Sequence, residues 1–441
     1  MQYRYRIVHV LGSVAVWLVL GVTVVSAQQA EVIISDVITR TGFEPIRIAI
    51  PRPYLIDVDD TVRRWAEELR QTLSDDLTFS RLFHLLPEAV VDTLPPYTGT
   101  TMDMTLWKAN EVQFLVLLKV GRSGKQVLVE ARLWDVATDD LRLGRRYTWK
   151  PALIRQIAHH FADDILTTVF GIRDRLFTSK ILFSSTRTGN PEIFVMDYDG
   201  HNQVQITRNH FVDLFPDMRP RHHQIVFTSL RNGRSALIWY DLLTGQMKTL
   251  FDASGLNSTP RWSPDGRRIA FVSAMHGNAE IYVMNADGSG LRRLTFSPSI
   301  ESSPTWSPSG TQIAFTSDRS GRPQIYIMDA DGGNVRQVTH FGEYNDRPAW
   351  SPDGTRIAFV SRHGLQFDIY VLDLTTNEII RLTEGAGSNE SPAWAPDGIH
   401  IVFSSNRTGK YQIYVMDRWG QDVRQLTHRG ENKTPSWRVY D

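Results

Sequence analysis

Six polar side chains recur at nearly constant spacing in this 441-residue chain: Asp213, Asn257, Glu301, Asn345, Asn389 and Asn432. Each step is 44 residues except the last, and each residue stands three before a proline. Carboxylates and amides set out this way can receive hydrogen bonds from another molecule, and a ring with several acids could hold a cation. The same residue types also cap turns or pair with arginines, here Arg187, Arg231, Arg319 and Arg407 in nearby loops, and both uses can hold together. Glu390 adds an acid beside Asn389. The chain shows no Gly-x-Ser-x-Gly elbow, no phosphate-binding glycine loop and no His-Glu-x-x-His helix. The adjacent pairs His159-His160 and His222-His223 read as solvated rather than metal-ligating. Asp197 to Gly200 and Asp329 to Gly332 lack the further acids of a calcium loop and read as hairpin turns. We expect a protein that is not an enzyme, with no metal and no cofactor.

These residues belong to a repeat. Ile181, Ile225, Ile269, Ile313, Ile357 and Ile401 keep the same 44-residue step, and each is followed two residues later by a phenylalanine. Asp197, Asp241, Asn285, Asp329, Asp373 and Asp417 form a further track. Each copy holds four short segments rich in β-branched and aromatic residues, separated by turn formers such as Ser263-Pro264-Asp265-Gly266, which predicts a propeller blade. Trp262, Trp306, Trp350, Trp394 and Trp437 recur beside the prolines, a pattern suited to packing between blades. The first copy begins at the second strand type, Ile181-Leu182-Phe183, while the chain ends on the first type, Thr434-Pro435-Ser436-Trp437. The carboxyl-terminal strand is therefore expected to complete the first blade and close a six-bladed ring, leaving no open sheet edge. In a four-stranded meander the tight turns emerge on one face and the longer loops and links on the other, so the polar ring is expected at one mouth of the central channel.

The preceding segment lacks the period. Asp60 to Leu73 and Pro151 to Phe170 show helical spacing of apolar residues, the second ending at Gly171. Strand-like runs at 113–120, 126–135 and 142–149 lie between them, with a turn at Gly121 to Gly124. The organisation is multidomain: residues 1–27 a signal peptide, 28–171 an amino-terminal α/β domain with a leading tail, and 172–441 an all-β propeller. Arg4 and Arg6 before an apolar run ending at Val25-Ser26-Ala27 carry the export reading. No later segment is apolar enough to cross a bilayer. The chain has no cysteine, which removes disulfides, thiolate zinc sites and thiol nucleophiles. Its 48 basic and 48 acidic residues give no basic footprint for nucleic acid.

The Pro-x-Trp-Ser-Pro-Asp-Gly, Ile-Ala-Phe and Ile-Tyr-x-Met-Asp elements resemble the TolB-type propeller repeat. Together with the export signal, the α/β domain, the Gly171-Ile172 junction and six repeats ending near Trp437, they resemble the TolB family along essentially the whole chain. The resemblance implies a periplasmic, non-enzymatic component of the Tol-Pal envelope system that supports outer-membrane integrity and division. It implies a Pal-type peptidoglycan-associated lipoprotein at the propeller opening. A TolA-type inner-membrane protein would engage the tail, here Glu31, Val32, Ile33 and Ile34. A propeller polysaccharide lyase and an envelope-binding propeller outside the Tol-Pal system are the alternatives.

Overall fold

In the computed structural model, residues 43–100 and 102–439 are described. The expected signal peptide and the tail residues Glu31 to Ile34 lie outside them. No helix among the described residues is long and apolar enough to cross a membrane.

The first part is a mixed sheet with helices on both faces. Its strands are β1 (Ile46–Ala49), β2 (Tyr54–Leu55), β3 (Phe83–Leu85), β4 (Phe114–Ser123), β5 (Gln126–Asp135) and β6 (Asp140–Trp149), in the order β3-β1-β4-β5-β6 with β2 against β4. The stretch 121–123, read from sequence as a turn, continues β4, because the β4–β5 ladder runs through to Ser123 opposite Gln126. Two long helices, α1 (Asp60–Phe79) and α4 (Ile154–Phe170), pack together and against the sheet. The short helices α2 (Glu88–Val91) and α3 (Thr105–Ala109) supply Val91 and Trp107 to a second cluster with Leu115 and Leu117 of β4. Asp59 caps α1 by accepting from the amides of Thr61 and Val62. Gly171 ends α4 at φ 75°, a left-handed conformation that glycine adopts without a Cβ penalty.

From Lys180 onward the chain forms six four-stranded antiparallel sheets. The closing blade pairs Asn432–Arg438 with Lys180–Ser185, then Glu192–Asp197 and Val204–Gln205. Blades two to six begin with inner strands Val212–Met218, Asn257–Trp262, Glu301–Trp306, Asn345–Trp350 and Asn389–Trp394. The ring is therefore sealed by the last strand, as the repeat register predicts.

The core explains why the two parts hold together. Val62, Leu69, Leu73 and Leu77 of α1 and Ile157, Phe161 and Ile165 of α4 belong to one buried cluster. That cluster continues through Phe177 into Ile181, Phe183, Tyr198, Ile399 and Trp437 of the propeller. Between blades, Trp306 and Trp394 donate their indole N–H to the carbonyls of Arg261 and Ala349 on the preceding blade. Gly200 and Gly332 lie so close to the carbonyls of Leu426 and Leu294 on the preceding blade that a Cβ would meet them at 2.8 and 2.6 Å. These turns are thus blade-to-blade contacts.

Candidate partner-binding mouth

The six repeated polar residues do not face solvent. Asp213, Asn257, Glu301, Asn345, Asn389 and Asn432 are all at 0 % exposure. Each joins the inner strand to the second strand or to the blade before. Asp213 receives Ser229 Oγ at 2.5 Å, and Asn257 receives Ser273 Oγ at 2.7 Å. Glu301 receives Ser317 Oγ and pairs with Arg319, both at 3.0 Å. Asn389 and Asn432 accept from Arg407 and Arg187. Burial shifts the pKa of Glu301 upward, against Arg319 and Ser317. The pairing with loop arginines expected from sequence is built by Arg187, Arg319 and Arg407, whereas Arg231 donates to Ser229 Oγ, and in this conformation none of the six side chains is open to a partner.

Sequence reading missed the groups they bond to. Asn345, Asn389 and Asn432 donate to Gln324, Asp368 and Gln412 on the third strand of the preceding blade. Those acceptors receive Thr339, Thr383 and Thr427, each of which also accepts an isoleucine amide. Both sets keep the 44-residue step, so the signal was present as two further polar tracks.

The channel wall comes from positions two residues further along. Phe215, Thr259, Ser303, Arg347, Ser391 and Thr434 all have φ between 51 and 55°. Each falls where the ladder to the second strand slips register. Such bulges re-aim side chains at a cost in backbone strain, and they concentrate at functional sites. Arg347 lies 5.4 Å over the ring of Phe215 from the blade directly opposite, so the pair crosses the channel.

Around the opening the side chains are aromatic and charged. Tyr344 packs edge-on to Phe367 at 5.7 Å and donates to Asp346 at 3.0 Å. Tyr411 donates to Glu390, and Lys433 Nζ sits 3.7 Å over the Tyr411 ring. Burial and the adjacent carboxylate Asp346 both raise the Tyr344 pKa, so the phenol stays a donor. Links and loops on this face also expose Leu256, Phe296, Ile300 and Leu365. Of the residues named from sequence, Glu390 alone reaches this surface, half-buried beside Tyr411.

The opposite face is occupied by the α/β domain. Arg81 pairs with Asp417 and Asp422, and Phe79 stacks on His400 at 3.7 Å. Tyr198 donates to Asp76 at 2.6 Å, Arg155 pairs with Asp199, and His159 Nδ1 lies 2.9 Å from Asp76. His159, read from sequence as solvated, is 2 % exposed because α4 turns that side of the helix onto the closing blade. Burial opposes its charged form, yet Asp76 and Asp199 outweigh this and lift its pKa to about 10. His159, Asp197 and Asp199 could converge on a cation only by displacing Arg155 and Lys180, which already pair with the two acids.

Comparison with known proteins agrees with this architecture. Residues 166–367 and 344–440 match the TolB beta propeller domain, and residues 36–141 match the TolB amino-terminal domain. The chain belongs to the TolB family. A Tol-Pal system protein TolB from Desulfosudis oleivorans is 36 % identical over 222 residues, 50 % of each chain. One from Geobacter metallireducens is 38 % identical over 188 residues, 43 % of each chain. The aligned stretch thus spans about half the length of these curated relatives. The crystal structure of TolB from Acinetobacter baumannii superposes with a TM-score of 0.75 at 25 % identity, covering 90 % of this chain and 97 % of that one.

Proposed function

We propose that this TolB-family chain is a periplasmic binding component of the Tol-Pal system. It docks a Pal-type peptidoglycan-associated lipoprotein on the open propeller mouth and so supports outer-membrane integrity and cell division. The supporting observation is the asymmetry of the propeller. One face is covered by the α/β domain through matched charges, while the other presents Tyr344, Phe367, Tyr411, Asp346, Glu390 and Lys433 around the channel. Rigid aromatics flanked by hydrogen-bonded charges are the usual anchors of a protein interface. The reading is one of binding rather than catalysis, since the mouth's carboxylates are held by neighbouring hydroxyls. The polar residues Asp213, Asn257, Glu301, Asn345, Asn389 and Asn432 then act by holding the blades that carry the contacting groups. The tail residues Glu31, Val32, Ile33 and Ile34 would engage a TolA-type inner-membrane protein as an added strand, their β-branched run suiting that mode.

The test is titration of a soluble Pal-type domain into the chain lacking residues 1–27. Tyr411→Ala is expected to weaken binding about tenfold, the roughly 1–2 kcal/mol of an aromatic anchor. Unchanged affinity in that variant together with complete loss in Arg81→Glu would move the site to the covered face.

A further inference from the structure

From the bulge inward, the six inner strands carry three arginines, Arg347, Arg261 and Arg438, and one carboxylate, Asp217. The arginines come from three blades and stand at increasing depth: Arg347 is third in its strand, Arg261 fifth and Arg438 seventh. At roughly 3.3 Å per residue they span about 13 Å below the mouth.

Their compensation is incomplete. Asp217 is fully buried and already accepts from the Trp262 amide and Ser436 Oγ, both at 2.8 Å. Arg261 and Arg438 share it loosely, at 3.9 and 3.5 Å, and Arg438 Nε is buried without a hydrogen bond. Arg347 bonds Ser391 Oγ and stands 3.8 Å from Asp346, which itself receives Ser303, Thr316 and Tyr344. Burial lowers the Arg261 pKa; Asp217 opposes this, while Arg438 and Arg347 add to it, so the three cations feel one another. Between a quarter and two fifths of each side chain still reaches solvent. Clustered, partly desolvated guanidinium groups are costly without a counter-charge, and their planar forks match a carboxylate.

We propose that the channel is an anion site, and that the partner docked at the mouth fills it with a carboxylate carried on an extended peptide segment. This rests on the mouth being the docking face. The Arg347–Phe215 pair lies between the opening and the two deeper arginines, so an entering segment meets Arg347 first and must part it from Phe215. A free inorganic anion shares the same chemistry and is separated from a peptide by experiment.

Calorimetric titration of the chain lacking residues 1–27 with acetylated triglutamate, at low salt, should show binding that trilysine lacks. Triglutamate should also raise the melting temperature of the wild-type protein, a readout that needs no variant. Arg261→Gln and Arg347→Gln should each weaken triglutamate at least tenfold, with Arg261→Lys, which keeps the charge but loses the planar fork, weakened less than Arg261→Gln. Absence of triglutamate binding, or wild-type affinity in both glutamine variants, overturns the proposal. Sodium sulfate that saturates the channel and fully displaces the peptide at equal concentration overturns the peptide as its source. A Pal-type domain that binds wild type and Arg261→Gln equally defeats the carboxylate inference and leaves docking at the mouth intact. A chain that binds triglutamate but no Pal-type domain defeats the docking reading and upholds the anion site.

Discussion

The two faces of the propeller use similar residues to opposite ends. On the covered face Arg81, Arg155 and Lys180 each meet a partner acid, Asp417, Asp199 and Asp197, and aromatic rings such as Phe79 and Tyr198 are packed away. On the open face Tyr344 and Tyr411 remain half-buried, large apolar residues stand on the rim, and among the described residues the three channel arginines have only Asp217 and Asp346 between them, at 3.5 Å or more. Both faces are built from the same repeat. Charge matching marks a joint already made, while exposed aromatics and incompletely matched charge mark one still to be made.

The most severe way to break this comparison is to remove what both faces depend on. Deleting residues 432–441 takes away the inner strand of the closing blade and exposes the edge of Lys180–Ser185. We expect the single cooperative transition in calorimetry to disappear and the protein to aggregate; a truncated chain with unchanged melting would contradict closure by that strand. Next, His159→Ala strips a buried partner from Asp76 and Asp199. About 3–5 kcal/mol should be lost at the domain joint. Hydrogen exchange should then quicken in α1 and α4 while blades three to five stay protected.

A gentler probe of the covered face is pH. Burial raises Asp163 to about 7 against hydrogen bonds from Phe177 and Thr178, so its contribution is complete below the ordinary carboxylate range and is lost as pH climbs through that value. His159, raised to about 10, contributes fully below its ordinary value and loses this as pH climbs toward 10. Asp76, raised by burial, has the same sign. Asp199 is lowered, because the bonds from His159 and His201 outweigh its burial, so its contribution is lost only in acid. The melting temperature should therefore fall from pH 5 to pH 9, and Asp163→Asn should flatten the lower half of that slope. The smallest effect belongs to the open face. Glu390→Lys and Tyr411→Ala should change stability by less than about 1 kcal/mol, seen as near-identical denaturation midpoints, even where they weaken a partner.

Much of the fold was legible because a propeller blade is a local unit. The 44-residue register announced four strands, their turns and the inter-blade tryptophans, and the permuted ends announced closure. The helices around Trp65 and Ile157 showed their periodicity as well. The short strands Ile46–Ala49 and Phe83–Leu85 did not, since a few residues in a parallel pair carry no readable alternation. At the site, the repeat revealed that six polar residues do the same job, but not which job. Asn389 and Glu390 are neighbours in sequence, yet the strand turns the first into the seam between blades and leaves the second at the surface.

The amino-acid sequence by itself determined the repeat, its closure and the family, because these depend on spacing along the chain and on side-chain type. The tertiary structure alone decided that the repeated polar ring is an internal fastening. It alone decided that His159 is buried, that bulges point the next residues but one into the channel, and that Arg347, Arg261 and Arg438 from three separate blades share one space. The physical reason is that a repeat fixes each blade's own geometry, whereas burial and electrostatic company depend on what neighbouring blades and the α/β domain bring to the same place.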